Sequence, residues 1–353
     1  MIANALFGVG LHAIGGIAAA TCYVPLIGTK RWSYQTYWLL FCTSAWLVIP
    51  VTVALVTVPD LGAVLAEVPP GAAARTTALG AVYGFGGMAF ALGIRHIGYS
   101  LTYAIAIGIS AVLGTVVPAA IAGNLVESFQ KPGGTTVLAG FAMSIAGVAL
   151  CGWAGFRKER ELRRRNHGGQ TPFNIRKGVV IVAFAGVLSA VFGLSLSAGA
   201  PIDAVVRRHG ATNFQSHLTY VFAMGGAFLT NLVWWGAVHL RERTFSEYRA
   251  LPGAAAAGGS LALHYFFGIL SGVLWYGQFF FYGLGHVRMG GFAFMSWGIH
   301  MTMLVFFSFG IGYALKEWRG FSRDTLYRLY VGLATLLASF CVVTYGSWVG
   351  NAA

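Results

Sequence analysis

Apolar residues run along this chain in long blocks that are separated by short polar stretches. Each block is close to the roughly 20 residues that an α-helix needs to cross the hydrocarbon core of a bilayer. The pattern predicts ten transmembrane helices, numbered here as spans 1 to 10, with these approximate bounds: 3–27, 35–58, 74–94, 98–122, 135–156, 177–199, 214–240, 260–285, 291–315 and 325–348. A short interfacial helix is one interpretation of the connection 200–213.

Composition agrees with this interpretation. Of the 353 residues, 57% are hydrophobic and only 9% are charged, whereas soluble domains carry about 25% charged residues. The sequence therefore predicts an all-α integral membrane protein. Its first apolar run follows no basic segment and is long enough to remain as a span, which predicts a retained helix rather than a cleaved signal peptide. The four cysteines lie singly in apolar runs, a spacing that favours neither a metal site nor a disulfide framework.

The formal net charge of +13 is distributed unevenly. Most of the 23 Lys and Arg residues lie in or beside the connections that follow spans 1, 3, 5, 7 and 9; the exceptions are Arg75, Lys131, Arg207, Arg208 and Arg288. Because cytoplasmic loops are enriched in Lys and Arg, this distribution predicts that both termini are periplasmic. The same distribution explains the basic charge, because the Lys and Arg residues set the topology and contact anionic lipid headgroups. We therefore expect no nucleic-acid partner.

The most polar segment, 157–176, lies between two groups of five spans. The predicted organisation is a first five-helix repeat at 1–156, a basic cytoplasmic linker at 157–176 and a second five-helix repeat at 177–353. Because each half has an odd number of spans, the second half enters the membrane in the opposite direction, as in an inverted repeat.

A weak internal similarity supports the repeat. A shift of 192 residues aligns the segments 80–82 and 272–274, and it aligns Gly93 with Gly285. These matches pair span 3 with span 8, as a duplication of five spans requires. The abundant glycines also allow close helix packing in lipid.

All ten Asp and Glu residues fall in loops or at predicted span edges, so the sequence places no carboxylate at mid-membrane. There is no phosphate-binding loop for ATP, and we expect neither an enzyme nor a cofactor. Histidine is then the remaining titratable group inside the spans, at His12, His264 and His300. Each of them is either a proton carrier or sugar ligand, or a neutral side chain that hydrogen-bonds across helices.

Span 8 carries a polar and aromatic stripe at helical spacing: His264, Gly268, Ser271, Trp275, Gln278, Tyr282 and His286. An amide in contact with hydrocarbon is costly, so this face is expected to turn inward. It either lines a cavity or joins helices through polar contacts. Aromatic rings beside hydrogen-bonding groups suit a sugar, which offers C–H faces and hydroxyls.

Several segments resemble the L-rhamnose–proton symporter family of the drug/metabolite transporter superfamily. They are HAIGGIAAATCYVPLIGTKRWSYQTYW at 12–38, LWYGQFFFYGLGHVR at 274–288, SWGIHM at 296–301 and ALKEW at 314–318. The resemblance implies ten helices in two inverted five-helix repeats and a central sugar site. It also implies uptake of L-rhamnose with a proton, by alternating access, across a bacterial inner membrane.

The candidate substrate-binding residues are His12, Tyr23, Tyr103, Trp275, Gln278, Tyr282, Trp297 and His300, and the candidate proton-coupling residues are His12, His264 and His300. The expected partners are a small sugar, a proton and the lipid bilayer, with a monomer or loose dimer as the assembly. Two alternatives stay open. A facilitator, or an exporter or exchanger of another small polar metabolite, fits the missing intramembrane carboxylate. A sugar sensor or a structural membrane protein is the second alternative, and the sequence offers no soluble signalling domain for sensing.

Overall fold

The computed structural model describes residues 2–29, 31–121, 129–130, 132–165, 173–251, 260–288 and 296–352. The described residues form helices, and no strand occurs among them. The α-helices are α1 (Ile2–Thr21), α2 (Tyr34–Cys42), α3 (Ile49–Thr57), α4 (Leu61–Glu67), α5 (Pro70–Ile97), α6 (Tyr99–Ile121), α7 (Gly134–Arg165), α8 (Ile175–Ala198), α9 (Ala200–Arg208), α10 (His217–Glu242), α11 (Leu261–Arg288), α12 (Ser296–Ala314) and α13 (Arg323–Ala352). Short 3₁₀ segments occupy Val24–Thr29, Thr212–Phe214 and Thr244–Tyr248.

Eight helical segments in the described chain are long and apolar enough to cross a membrane. Two shorter apolar helices, Tyr99–Gly114 and Ile299–Ala314, lie in the fourth and ninth predicted spans. Every predicted span therefore contains helix, although residue 122 of the fourth and residues 291–295 of the ninth lie outside the described residues. The protein is a multi-pass membrane protein, and the count of ten crossings stays a prediction.

Several helices extend beyond the apolar runs that predicted them. Helix α5 begins at Pro70, because proline is favoured in the first helical turn, where its missing N–H costs nothing. Helix α7 continues to Arg165, well past the predicted end at residue 156. Ion pairs at i, i+4 spacing, such as the one between Arg163 and Glu159, support this polar extension. Hydropathy marks the membrane core of a helix and not its ends.

The second span is one rod whose backbone changes geometry midway. Between α2 and α3, Thr43–Val48 forms a π-helix. Pro50 follows this segment and lacks the N–H that an α-helix would donate to the carbonyl of Trp46. The wider turn of a π-helix does not require a hydrogen bond from residue 50 to the carbonyl of Trp46. The indole of Trp46 is fully buried in the protein interior.

The connection 200–213 contains the expected short helix, α9. Helix α4 was not predicted; its N-cap is Asp60, whose carboxylate accepts a hydrogen bond from Ala63 N. Val64 of α4 packs with Ile202 of α9 in a small apolar cluster. Hydrogen bonds from Arg208 and His209 lower the pKa of the Glu67 carboxyl at the end of α4. These contacts hold two short helices together.

The chain forms two compact units. The first unit comprises Met1–Ala20, Gly86–Ala190 and Gly285–Ala353, and the second comprises Thr21–Phe85 and Val191–Leu284. Each unit takes segments from both halves of the sequence, so this spatial division differs from the predicted division at 157–176. That predicted organisation into two sequence repeats stays a prediction.

In the second unit, glycines allow helices to pack backbone against backbone. A side chain at Gly80 of α5 would overlap the carbonyl of Ala223 on α10, and one at Gly226 of α10 would overlap the carbonyl of Thr77 on α5. Lipid gives helices little hydrophobic reason to associate, so such close contact supplies packing energy.

Helices of the first unit also pack closely at glycines. Helices α7 and α13 pack along their length, where a side chain at Gly147 would overlap Leu336 and one at Gly332 would meet the backbone of Cys151. Elsewhere in this unit, Gly93 of α5 packs against Val182 of α8. Small residues again set the helix spacing.

Candidate functional site

The polar stripe of α11 faces the interior of the protein for most of its length. His264, Gly268, Ser271, Trp275 and Gln278 are buried, and Tyr282 and His286 are half-buried. The opposite face carries the exposed side chains Leu263, Phe266, Ile269 and Val273. The prediction that the stripe turns inward is confirmed from His264 to Gln278, which are buried, whereas these exposed residues of α11 are apolar.

Trp275 lies in an aromatic cluster of the second unit. Its ring centroid is 5.5 Å from that of Trp46, 5.2 Å from Phe279 and 6.5 Å from Phe192. Tyr83 extends the cluster, with its ring 4.5 Å from Phe192 and 6.1 Å from Trp46. The cluster presents several aromatic faces of the kind on which the C–H side of a sugar ring stacks.

Of this cluster only Trp275 was predicted as a site residue, and Trp46 is a missed member with a polar group to offer. Its Nε1 is buried and has no hydrogen-bond partner among the described residues. A buried indole N–H usually finds an acceptor, so this donor is suited to a ligand oxygen. Its signal in the sequence was Pro50, four residues later, which predicts a distorted helix where Trp46 lies.

Other polar groups beside the stripe bond to one another. Tyr37 Oη donates to Ser271 Oγ. Trp38 Nε1 donates to Asn231 Oδ1 at 2.8 Å, and Asn231 Nδ2 donates to Gly84 O at 3.0 Å. Each of these hydrogen bonds joins two helices, so at Ser271 the stripe serves to hold helices together. Gln278 Nε2 donates to Trp275 O at 3.0 Å, within its own helix.

Tyr23, a predicted substrate-binding residue, lies in the second unit. Its ring stacks on Trp38 at a centroid distance of 6.1 Å and an interplanar angle of 11°, and it contacts Phe41. Tyr282, also in this unit, is half-buried on the stripe. Tyr23 thus adds another aromatic surface near the second span.

His264 lies near the beginning of α11. Its Nδ1 is 3.0 Å from Ser260 O, and its ring meets Trp32 edge-on at 5.4 Å. Its Nε2 is buried without a hydrogen-bond partner among the described residues. His264 therefore makes its contacts at the beginning of α11, about three helical turns from Trp275.

His12 and His300 are brought together in the first unit. Their ring centroids are 5.9 Å apart and the rings meet edge to face. His12 is fully buried and His300 is 2% exposed. Gly285 makes room for this arrangement, because a side chain there would lie about 3.1 Å from His12 Nε2 and 3.0 Å from Gly8 O. Two buried imidazoles at this separation cannot easily carry two charges.

Tyr103 also belongs to the first unit. Its hydroxyl donates to Ala19 O near the end of α1. Its ring stacks on Tyr99 at 6.0 Å and meets Phe90 edge-on at 4.8 Å. Trp297 is a residue of α12, but its side chain lies outside the described part of the structure.

Two carboxylates that the sequence placed outside the spans cap helices. Glu247 accepts hydrogen bonds from Ser33 N at 2.8 Å and from Thr36 Oγ1 at 2.6 Å, at the beginning of α2. Glu317 accepts from Tyr99 N at 2.6 Å and from Ser100 Oγ at 3.2 Å, at the beginning of α6. Negative charge at a helix N-terminus is favourable. Sequence reasoning missed these caps because each joins residues far apart in the chain.

The site has no metal-binding character in the described part of the chain, where no group of three or more His, Cys, Asp or Glu side chains could hold an ion. The second unit instead offers aromatic faces and hydrogen-bonding groups, and the first unit offers two neighbouring imidazoles. The aromatic groups of the second unit can bind a small polar molecule, and the imidazole pair of the first unit can accept a proton, without covalent chemistry.

Comparison with known proteins identifies the family. The model of the L-rhamnose-proton symport protein family (RhaT) matches residues 1–348. The chain belongs to this family. It is therefore a member of a family of membrane transporters and not of enzymes, one for which a sugar and a proton are the transported species.

The curated relatives agree with this assignment. The chain is 29% identical to an L-rhamnose-proton symporter of Pectobacterium atrosepticum over 343 residues, which cover 97% of this chain and 98% of the relative. It is equally similar, at 29% over 344 residues, to an L-rhamnose-proton symporter of Yersinia pestis, with the same shares covered. No solved structure matches the chain.

Proposed function

We propose that this protein imports L-rhamnose, or a closely related 6-deoxy sugar or aldohexose, by proton symport across a bacterial inner membrane. The observation that carries the proposal is the match of residues 1–348 to the symport family. Relatives named for this activity align over almost their whole length. The aromatic cluster and the histidine pair are the groups on which we base the mechanism.

The second unit supplies the sugar-binding surface. The indole of Trp275 provides a stacking face, and the free N–H of Trp46 and the amide of Gln278 provide hydrogen bonds to hydroxyls. Tyr23 and Tyr282 add further aromatic surface. A site that hydrogen-bonds each hydroxyl strongly rejects a sugar that lacks one of them. A pocket for the methyl group distinguishes sugars with and without that group by only about 1–3 kcal/mol. Stereoisomers that share the hydroxyl pattern of L-rhamnose should therefore compete.

The first unit supplies the proton carrier. His12 and His300 are buried imidazoles in contact with each other, so a proton bound by one ring is disfavoured on the other. We assign the transported proton to this pair, with Tyr103 and Trp297 of the same unit as further candidate sugar ligands. His264 remains a secondary candidate for the proton. By linkage, sugar binding and protonation favour each other by the same factor.

Helix packing supports the two inverted five-helix repeats. Gly80 on span 3 packs against span 7 at Ala223, and its sequence counterpart Gly272 on span 8 packs against span 2 at Ser44. If spans 1–5 repeat as spans 6–10, span 7 is the counterpart of span 2, so the two contacts are equivalent. Within the other unit, Gly93 on span 3 packs against span 6, and Gly285 on span 8 packs against span 1.

This pattern favours transport by alternating access, in which one repeat rocks against the other around a fixed site. We propose that the protein belongs to the drug/metabolite transporter superfamily. The positions of the basic residues support a topology in which both termini are periplasmic. We further propose that the protein works as a monomer or loose dimer, in contact with lipid and not with nucleic acid.

One alternative has an observation in its favour. Glu247 and Glu317 cap helix ends, and the sequence places no carboxylate at mid-membrane. Many proton-coupled carriers use an intramembrane Asp or Glu. A sugar facilitator, or an exporter or exchanger without proton coupling, would use the same aromatic and hydrogen-bonding groups and would not need such a carboxylate.

Purified protein in liposomes distinguishes these functions. With an inward proton gradient, we expect labelled L-rhamnose to accumulate above its external concentration, and we expect a protonophore to abolish the accumulation. Equilibration without accumulation would identify a facilitator. Absence of saturable flux for any sugar would contradict the transporter proposal.

A further inference from the structure

A groove on the first unit faces the lipid. It has a volume of about 300 Å³ and is lined by Ile105 of α6, by Gly152, Trp153 and Phe156 of α7, and by Val179 of α8, among other apolar residues. Trp153 is 50% exposed and Phe156 is 46% exposed. The groove is open and offers almost no polar surface, so the group that suits it is a hydrocarbon chain.

The groove ends beside four exposed cationic side chains. Arg160 and Arg164 follow Phe156 along α7 at steps of four, on the same face of the helix. Arg176 lies three residues before Val179, on the same face of α8, and Lys177 follows Arg176 in the first turn of that helix. None of these four side chains has an ion pair with the described residues.

Neighbouring cations of α7 differ in this respect. Arg157 pairs with Asp324, Arg163 with Glu159 and Arg165 with Glu161. Arg328, whose own partner is Asp324, lies 4.1 Å above the ring of Trp153 and holds this indole at the groove. The nearby carboxylates are thus already engaged, so the four unpaired cations are available for an external anion.

We propose that the groove and these four cations form a binding site for one anionic phospholipid. An acyl chain lies along Gly152, Trp153 and Phe156, and the phosphate lies against Arg160, Arg164, Arg176 and Lys177. The combination selects this ligand by charge complementarity: a zwitterionic lipid offers the same chain without net negative charge. Basic pockets between transmembrane helices are suited to such headgroups.

The size of the effect follows from the charges. Each Lys or Arg near an anionic surface contributes about fivefold in affinity, so removal of two should weaken binding about 30-fold. The test titrates the full-length protein in detergent with phosphatidylglycerol or phosphatidylcholine and counts bound lipids by native mass spectrometry. We expect tight binding of one phosphatidylglycerol and about 30-fold weaker binding by Arg160→Gln/Arg176→Gln.

The matched control removes two charges elsewhere. Arg241 and Arg243 are exposed residues at the end of α10, in the other unit, with no ion pair among the described residues. Arg241→Gln/Arg243→Gln should bind phosphatidylglycerol as the parent protein does. Equal losses in the two double variants, or equal binding of phosphatidylcholine by the parent protein, would overturn the proposal.

A second variant tests the groove itself. No atom outside its own helix lies within 4 Å of the position that a Cβ at Gly152 would take, so the side chain of Gly152→Leu starts in open space and extends into the groove. We expect phosphatidylglycerol affinity to fall about tenfold, with an unchanged thermal midpoint, because the acyl chain loses buried contact. Unchanged lipid binding by this variant would overturn the proposal, and an accompanying change in oligomeric state would show that a second copy occupies the groove.

Discussion

The imidazole of His300 meets that of His12 edge to face, with 5.9 Å between the ring centroids. The two rings come from opposite ends of the sequence and are both buried in the first unit. A proton on either ring would have the other imidazole as its neighbour. This pair is the centre of our account of coupling.

Replacement of either histidine should separate coupling from sugar movement. We expect His12→Ala and His300→Ala to lose accumulation under a proton gradient, because the carrier of the proton is removed, while sugar counterflow without a gradient continues. Uptake and counterflow of labelled L-rhamnose in proteoliposomes measure the two properties. His209→Ala, in a loop beside Glu67, is the control and should accumulate normally. Full proton-driven uptake in both variants would assign the proton elsewhere, with His264 the next candidate.

Trp275 is expected to set sugar affinity. Trp275→Ala removes a stacking face and should raise the apparent KM about tenfold, which corresponds to about 1.4 kcal/mol. Trp275→Phe should retain most of the affinity. The matched control is Trp234→Ala, since that indole is 53% exposed. If Trp275→Ala and the control have the same KM, the aromatic cluster is packing only.

The indole N–H of Trp46 gives a finer test of the same surface. Trp46→Phe keeps an aromatic ring and removes only a buried donor that has no partner among the described residues. Loss of a hydrogen bond to a sugar hydroxyl should weaken apparent affinity by about 0.5–1.5 kcal/mol. Competition by deoxy analogues of the sugar measures this loss. One analogue should bind the parent protein more weakly than L-rhamnose does, whereas the variant should bind that analogue and L-rhamnose equally well. An unchanged ranking of all analogues would remove Trp46 from the site.

The sequence predicted much of the fold because lipid imposes strong rules. Apolar runs became helices, and the stripe of α11 turned inward, since polar side chains in hydrocarbon are costly. Hydropathy did not predict α4 or the extension of α7, because short helices and charged helix ends have no membrane-length signal.

The site was less accessible to sequence reasoning. His12 and His300 were each predicted as interior residues, but their contact depends on how distant helices pack. Trp46 was missed because its position depends on the π-helix before Pro50. Ser271 was predicted with the stripe, and only its hydrogen bond with Tyr37 shows that it joins helices.

Adjacent glycines on α10 test the packing argument. Gly226→Ala should destabilise the protein by about 1–3 kcal/mol, because the new methyl group would overlap the carbonyl of Thr77. At Gly225 no atom outside the helix lies within 4 Å of the position that a new methyl group would take, so Gly225→Ala should be neutral or slightly stabilising. Thermal unfolding in detergent compares them. Equal midpoints for the two variants would contradict the close approach of α5 and α10.

Glu317 is expected to stabilise the beginning of α6. Glu317→Ala leaves the backbone N–H groups of Tyr99 and Ser100 without their acceptor and should cost about 1–2 kcal/mol of stability. Amide hydrogen exchange in the first turn of α6 should rise with it. Glu242→Ala, at the exposed end of α10, is a comparison that should leave exchange in α6 unchanged. Unchanged exchange in Glu317→Ala would contradict the cap.

Sugar-driven proton movement tests the central claim most directly. Proteoliposomes that enclose a pH-sensitive dye, with equal pH on both sides, receive external L-rhamnose while labelled sugar entry is followed in parallel. The account predicts that the interior acidifies as sugar enters, and that His12→Ala and His300→Ala abolish the acidification. Saturable entry of L-rhamnose into vesicles whose interior pH does not change would contradict it.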